Sequence, residues 1–429
     1  MDNLTTIILY DNLVIKKVIK IFEYFINDFD VNKVWEESMD KKIMQQKDHI
    51  ILPKATLKRF ADEKNNKIAY LALRNKEIKL EEQFPRAFHT SGNYYNPEYD
   101  EIIKRYETLL GKLHKKIKDA IDTEFRIFMS SSELKKDIIE LITLQFNRSV
   151  LADDALLGKY REQEQYRYNT ISAELFRTGN ISREFIERKK AFEKNAESDS
   201  SFRYYAQNII GQENEKIKEY FEKFEPFILS IPNDVASTFI LPPQHFLSGT
   251  NFARFVLSPR IALALFPQQM QTTYFKKLTA EEVDFMFPRV IESAMCMEEK
   301  YREVIGEKNY LIHIRDILYK YRESFFYMED EQILIVCGRE KQLKDDQTIL
   351  EMISSIMVFA PQCKKIILEE NVLSEELLKN EDLNKELLIF VEREYEVALI
   401  SDDYCKNLEP RVKRFESKEQ AITFFKKEN

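Results

Sequence analysis

Two neighbouring stretches decide the predicted fold of the first part of the chain: IAYLALRNKEIKL (residues 68–80) and YDEIIKRYETLLGKLHKKIKDA (residues 99–120). In the first, two apolar runs flank Arg74–Lys76, which is the pattern of a β-hairpin. In the second, apolar residues recur at spacings of three and four, with lysine and arginine on the opposite side, which predicts one amphipathic helix. The sequence therefore predicts a helical body that carries a small β element.

The end of the chain has a different pattern. Continuous apolar runs recur at Ile333–Val336, Ile366–Leu368, Leu387–Val391 and Val397–Ile400, with helical patterns between the first three and after the last. Buried strands that alternate with helices indicate a largely parallel sheet. The predicted fold class is therefore mainly α with a small β element (α+β), followed by a small C-terminal α/β domain.

Three regions are predicted from these patterns. Residues 1–47 form an N-terminal helical segment that Trp35, the single tryptophan, attaches to the body. Residues 48–328 form the mainly helical domain, in which residues 226–267 contain short apolar runs between prolines, typical of short strands or extended core segments. Residues 329–429 form the C-terminal α/β domain.

Composition limits the class of protein. The 429 residues carry a net charge of −8, and the four cysteines are far apart, so reduced thiols fit better than a disulfide framework or a zinc site. No apolar run approaches the roughly 18 residues of a membrane span, and the N-terminus lacks the basic segment of a signal peptide. We expect a cytoplasmic location and no membrane partner.

Glycine usage argues against nucleotide-loop cofactors. The chain has only eight glycines, and the closest two are Gly92 and Gly111. Loops that hold phosphates with backbone amides need clustered glycines, so ATP, GTP and NAD are not expected.

The five histidines form no HxxxH or HExxH pair, which disfavours a helical zinc site. The sequence patterns indicate no particular cofactor or metal.

Short motifs in residues 48–267 match a known pattern. The pattern begins with Pro53, Leu57, Arg59 and Phe60. The β segment, Tyr94-Tyr95 and an acidic helix come next, and Gln145-Phe146-x-Arg148 comes last. This order resembles a bacterial domain-of-unknown-function family, number four-two-three-eight. The resemblance implies no settled activity, and it does not extend to the C-terminal domain.

The chain departs from the family pattern at its polar positions. The family histidine aligns with Ile50, one residue after His49, and Lys54 replaces a glutamine. Asp234 follows Pro232, whereas the family aspartate precedes its proline. Any chemistry that relatives perform with this histidine and aspartate is therefore lost or displaced here.

The candidate catalytic residues are His49, His89, Glu107, Arg148 and Asp234. Glu107 and Arg148 project from neighbouring predicted helices, where the arginine could hold a phosphate or carboxylate with two hydrogen bonds. A structural alternative is that Gln145 and Arg148 brace the helices, since a buried charge needs a partner. Neither alternative is excluded, so enzymatic activity stays open.

Two functions follow from these observations. The first is a bacterial intracellular interaction or regulatory protein, with a phage-defence or mobile-element context suggested by the family resemblance. The alternative is a divergent hydrolase, acting for example as a nuclease. A protein is the expected partner, and nucleic acid is a second option through the basic face of residues 101–120, where Tyr94, Tyr95 and Tyr106 could stack. The oligomeric state is not predicted.

Overall fold

The computed structural model describes residues 47–49, 51–92, 94–95, 97–120, 132–152, 183–196, 221–248, 253–267, 275–337, 343–373, 383–400 and 411–427, with parts of 157–172, 201–207 and 218–219. The predicted N-terminal helices and Trp35 lie outside these ranges.

Helices and strands are numbered in chain order. The helices are α1 (Lys54–Arg59), α2 (Pro97–Ala120), α3 (Ser132–Ala152), α4 (Arg183–Asn195), α5 (Ala280–Asp284), α6 (Phe287–Met295), α7 (Lys308–Arg322), α8 (Asp346–Phe359), α9 (Leu383–Val391) and α10 (Lys418–Lys427). The strands are β1 (Lys47–His49), β2 (Ile68–Arg74), β3 (Glu77–Gln83), β4 (Thr90–Gly92), β5 (Phe224–Ser230), β6 (Phe246–Ser248), β7 (Ala253–Ser258), β8 (Ile261–Pro267), β9 (Phe275–Lys277), β10 (Glu303–Gly306), β11 (Phe325–Met328), β12 (Ile333–Val336), β13 (Lys365–Glu369), β14 (Glu396–Ile400) and β15 (Val412–Phe415).

The chain divides into two compact units. The first comprises residues 1–68, 83–232 and 243–278, and the second comprises residues 69–82, 233–242 and 279–429. Each unit is therefore built from segments that are distant in sequence.

The first unit contains a five-stranded sheet in the order β6-β7-β8-β5-β9. Strand β5 pairs antiparallel with β8 and parallel with β9, but β9 reaches only Ile228 to Ser230. Pro226 can therefore sit inside β5, because among the described residues no strand pairs with it on the β9 side. A two-stranded pair of β1 and β4 completes the strands described in this unit.

Helices α2 and α3 pack against this sheet. The predicted amphipathic helix of residues 99–120 is confirmed as α2, and its apolar stripe is buried at Tyr99, Ile103, Tyr106, Leu110, Leu113 and Ile117. On α3, every residue from Leu141 to Ser149 is buried. These side chains share one core with β5, β7 and β8.

The second unit begins with a three-stranded sheet in the order β10-β2-β3. The predicted hairpin is confirmed as β2 and β3, joined through Asn75 and Lys76, which both have positive φ. A capping box begins the next helix: Thr279 caps α5 and accepts from the N–H of Glu282. Pro288 then starts the separate helix α6, as a proline at a first helical turn does.

A second five-stranded sheet runs in the order β11-β12-β13-β14-β15. The pairs from β12 to β15 are parallel, and β11 joins β12 antiparallel. Helix α10 packs on one face, where Ala421 and Phe425 meet Ile333, Ile335, Ile367 and Ala398.

Two predictions about the fold are wrong. The fold class of a mainly helical body with a small β element is incorrect, because two five-stranded sheets and a three-stranded sheet make the described chain a mixed α/β protein. The apolar run Leu387–Val391 is the end of helix α9, not a strand. A short continuous apolar run fits a buried helix as well as a buried strand, so its pattern alone could not separate them.

Candidate functional site

Arg148 lies in the packed interior of the first unit. Helix α3 carries it, and its side chain is only 1% exposed. Its Nε donates to the hydroxyl of Tyr95 at 2.9 Å. The guanidinium carbon lies 5.6 Å from the centre of the Tyr95 ring and 5.9 Å from that of Tyr106. Two aromatic rings thus surround the cation, a contact that is favourable where water is excluded.

Glu107 lies beside this cluster. It follows Tyr106 on α2 and is half-buried. Burial acts to lower the pKa of Arg148, but the nearby Tyr95, Tyr106 and Glu107 outweigh it, so the pKa is raised. The structure therefore brings Glu107 and Arg148 close enough for their charges to interact, as their positions on neighbouring helices suggested.

His245 forms the other side of the same interior. Its Nδ1 lies 3.3 Å from the hydroxyl of Tyr106, and its Nε2 lies 2.9 Å from the carbonyl oxygen of Val256. A carbonyl only accepts, so Nε2 carries the proton and Nδ1 accepts from Tyr106. Burial lowers the pKa of His245 to about 3, with Arg148 and Arg59 acting in the same direction. The imidazole is therefore neutral.

Gln145 links three separate segments of the first unit. Its Nε2 carries two hydrogens and lies within hydrogen-bond distance of three acceptors, the carbonyl of Gln244 at 3.0 Å, Oγ of Ser149 at 3.1 Å and the carbonyl of Ile51 at 3.3 Å. Ser149 in turn donates to the carbonyl of Gln244 at 2.8 Å. One turn of α3 therefore holds both the chain before α1 and the chain before β6.

Arg59 makes a similar connection from α1. Its Nη1 donates to the carbonyl of Leu257 at 3.2 Å, and its Nη2 lies 3.4 Å from the carbonyl of Leu110. Burial lowers the pKa of Arg59 to about 10. Because carbonyls carry no charge, this cation has neutral hydrogen-bond partners, and its cost of burial is only partly compensated.

The remaining candidates have different environments. Strand pairing places the backbone of His49 opposite Thr90, directly after His89, so the two histidines are neighbours along the β1–β4 pair. His89 is half-buried, has a φ of 42° and packs edge-on against the Phe88 ring at 4.4 Å. Asp234 is exposed and belongs to the second unit.

The predicted basic face of α2 is largely neutralised. Lys104 pairs with Asp100 at 2.8 Å and with Glu101 at 3.0 Å. Arg105 pairs with Glu140 at 2.6 Å. Lys112 and Lys116 both lie within 4.0 Å of Asp137 and Glu133 on α3. Four cations of this face, Lys104, Arg105, Lys112 and Lys116, therefore already have carboxylate partners.

A second buried charge cluster lies in the second unit. The guanidinium of Arg393 donates to both oxygens of Glu292, through Nε at 3.0 Å and Nη2 at 3.3 Å. Arg289 donates to the same carboxylate at 3.1 Å. Burial opposes ionisation of this carboxyl, but the two arginines outweigh it and lower the pKa of Glu292. The cluster joins α6 to the end of α9.

Sequence patterns did not reveal the roles of His245 and Arg59 in this interior. His245 was one of five isolated histidines, and its partners Tyr106 and Val256 are distant in sequence, so no spacing connects them. Arg59 matched the family pattern, but no local signal indicated which carbonyls it would reach. Arg148, His245 and Gln145 can hold the helices and loops of the first unit in place. Each of these side chains forms hydrogen bonds with other groups of the protein.

No family model, curated protein or solved structure matches the chain at a significant level. The resemblance to family four-two-three-eight therefore rests on the sequence motifs alone. Within the part of the chain that the structure describes, no helix is long and apolar enough to cross a membrane.

Proposed function

We propose that this chain is a bacterial interaction or regulatory protein that works inside the cell and binds through a surface of its second unit. The free thiol of the buried Cys363 supports an intracellular setting. The phage-defence or mobile-element context is supported only by the family resemblance.

The surroundings of Arg148 favour this proposal over the hydrolase. A catalytic arginine must reach a substrate, whereas Arg148 is 1% exposed and hydrogen-bonded to Tyr95. A side chain in that position stabilises the packing of α2 against α3. Packing and hydrogen bonding therefore account for the position of Arg148 without a catalytic role.

The observation that carries the proposal is the exposure of Phe326. This side chain is 63% exposed on β11, at the edge of a five-stranded sheet. Met328 points to the same face, because it lies two residues further along the strand. Met328 and Cys337 pack against the apolar cluster that α10 covers, and both are only partly buried. We call Phe326, Met328 and Cys337 the Phe326 surface.

Charges of both signs lie beside the Phe326 surface. Lys76 pairs with Glu329, and Glu331 pairs with Lys426 at 2.7 Å. An apolar centre with a polar rim is the usual anatomy of a protein interface. Because β11 is an edge strand among the described strands of this sheet, a second copy of this chain can lie against the same strand across a two-fold axis. We therefore assign a second copy as the occupant.

Sedimentation velocity over a range of concentrations tests this assignment. We expect a reversible dimer for the wild type and a monomer for Phe326→Asp, since a charge at the centre of the interface would be desolvated. Tyr166→Asp is the matched control, because Tyr166 is 74% exposed but belongs to the first unit. A wild-type chain that stays monomeric at every concentration overturns the proposal, as does equal dimerisation of both variants.

The hydrolase alternative has its own test. Purified wild type and Glu107→Gln are incubated with single-stranded and double-stranded nucleic acid and with a chromogenic phosphodiester. The proposal expects no turnover from either protein. Turnover by the wild type that disappears in Glu107→Gln, with an unchanged melting temperature, would establish the hydrolase instead.

A further inference from the structure

An exposed aromatic ring that lies close to two cations marks a separate surface of the first unit. Phe84 is 40% exposed and precedes the buried Pro85. The Lys67 ammonium lies 5.4 Å from the centre of its ring, and the Arg86 guanidinium lies 5.6 Å from it. Cation–π contacts of this length restrain both side chains before any ligand arrives.

The cations of this surface differ from those of α2 in one respect. Lys67 and Arg86 form no ion pair within the described part of the chain, whereas Lys104, Arg105, Lys112 and Lys116 all do. Lys67 and Arg86 therefore remain available to an anion, whereas these four cations of α2 are already neutralised. Unpaired cations beside an exposed ring suit a polyanion that also presents flat apolar groups.

Helix α1 adds two cations near the turn that carries Arg86. It packs against the turn at Pro85–Ala87, which carries Arg86. Lys54 and Lys58 on α1 are exposed, and their spacing of four residues places them on one side of the helix. Neither forms an ion pair with another described residue. We define the Phe84 surface by five residues: Phe84, Lys67, Arg86, Lys54 and Lys58.

We propose that the Phe84 surface binds single-stranded nucleic acid. Phosphate groups contact Lys67, Arg86, Lys58 and Lys54. A base stacks on an exposed flat group of this surface, either the Phe84 ring or the planar Arg86 guanidinium. Aromatic and guanidinium planes are the groups on which unpaired bases stack in proteins of this type. Paired bases in a duplex are not available for that contact, so a single strand is the preferred form.

The electrostatic part and the stacking part of this interaction can be measured separately, because only the first depends strongly on salt. Release of counterions from a single strand gives a slope of about −0.7 per phosphate contact in log K against log salt, so four cations predict a slope near −3. Stacking adds affinity that depends little on salt. Each part therefore has a readout that the other does not change.

The experiment is fluorescence anisotropy with labelled oligo(dT) and oligo(U) at several salt concentrations, using the full chain. We expect Lys67→Gln and Arg86→Gln each to reduce the slope by about 0.7. Phe84→Ala should weaken binding roughly ten- to a hundredfold with an unchanged slope, and Phe84→Trp should restore it. All three positions are at the surface, and melting temperatures confirm that the variants fold.

Matched controls come from the paired face of α2 and from the other unit. Lys104→Gln and Lys112→Gln remove one cation each without touching the Phe84 surface, and we expect wild-type affinity. Phe326→Asp should also bind normally, so loss of the proposed dimer and loss of nucleic-acid binding are distinguishable. The proposal is overturned by an absence of binding at low salt, or by equal effects of Lys112→Gln and Lys67→Gln. Equal affinity for polyglutamate, or for duplex of the same charge, also overturns it.

Discussion

The hydroxyl of Tyr106 donates to Nδ1 of His245 across a distance of 3.3 Å, and this contact joins α2 to the segment that precedes β6. The opposite ring nitrogen of His245 donates to Val256, so both nitrogens are satisfied while the ring is neutral. Protonation would place a hydrogen on Nδ1, so that it could no longer accept from the Tyr106 hydroxyl, and would add a charge near Arg148. The neutral histidine is therefore the form that the fold requires.

Acid should destabilise the first unit through His245. Burial lowers its folded-state pKa from an ordinary 6.5 to about 3, so the unfolded chain binds the extra proton first. Stability is fully present above pH 6.5 and falls as the pH decreases towards 3, by at most about 1.4 kcal/mol per pH unit. Urea denaturation at pH 7, 6 and 5 should show this loss.

The variant His245→Gln removes that titration. We expect a lower stability at pH 7, because Val256 and Tyr106 lose a well-placed partner, but a flatter dependence between pH 7 and 5. His313→Gln is the control, since His313 is exposed in the second unit. An unchanged slope in His245→Gln would contradict the assignment of a buried neutral imidazole.

Replacement of Gln145 should distinguish hydrogen bonding from volume. Gln145→Glu turns a donor to two carbonyls into a buried acceptor and should cost roughly 3 kcal/mol or more at pH 7. Gln145→Leu keeps the volume and should cost about 1–3 kcal/mol. Gln165→Glu is a suitable control, because the Gln165 contact to Asn169 is exposed. Equal stabilities of the glutamate and leucine variants would argue against the donor role.

Replacing the carboxylate of Glu292 should lower the free energy of unfolding far more than replacing a surface carboxylate. Glu292→Gln leaves Arg289 and Arg393 without their counter-charge and should cost on the order of 3–5 kcal/mol. Glu187→Gln removes the exposed pair with Arg183 and should cost under about 0.5 kcal/mol. Thermal unfolding at neutral pH compares the two directly. Because the pKa of Glu292 is lowered in the folded state, its contribution is present above pH 4.5 and should fade as the pH drops below it.

Alanine substitutions at two glycines should change the free energy of unfolding in opposite directions. Gly111 lies exposed in the middle of α2 with nothing within 4 Å of an added Cβ, so Gly111→Ala should stabilise by about 0.5–1 kcal/mol. An added Cβ at Gly306 would come within 2.9 Å of Ile240 and 3.0 Å of Leu311, so Gly306→Ala should destabilise by about 1–3 kcal/mol. Chemical denaturation would measure both, and destabilisation at Gly111 would contradict the packing described for α2.

Elements with a strong local pattern were predictable from the sequence. The stripe from Tyr99 to Ile117, the hairpin around Asn75 and the capping box at Thr279 each depend on residues that are close in the chain. The apolar run Ile333–Val336 is likewise a strand. These signals depend on side-chain period and cap chemistry, which a sequence displays directly.

The sheet of the first unit was not predictable in the same way. Its strands were visible only as short apolar runs, and the parallel pairing of β5 with β9 depends on residues that are distant in the chain. The neutralised face of α2 was hidden for the same reason, because Glu140, Glu133 and Asp137 lie on α3. Pairing between separate segments leaves no periodic trace in either segment.

The candidate site shows a similar division. The proximity of Glu107 to Arg148 followed from the pairing of two predicted helices. Burial of Arg148 and its contact with Tyr95 could not be derived from spacing. The Phe84 surface was overlooked because Lys67 and Arg86 lie nineteen positions apart in the chain and meet only through the fold.

The three-stranded sheet of the second unit limits the order in which the chain can fold during synthesis. Strand β2 is antiparallel to β10, and Arg74 donates to the carbonyl of Lys300, which is 226 positions later. A ribosome that adds about 5–20 residues per second takes at least roughly ten seconds to deliver β10 after β2. During that interval the apolar strand Ile68–Arg74 has no sheet partner on that side. A chaperone that shields emerging apolar strands should therefore raise the yield of folded protein when the nascent chain is between these two strands.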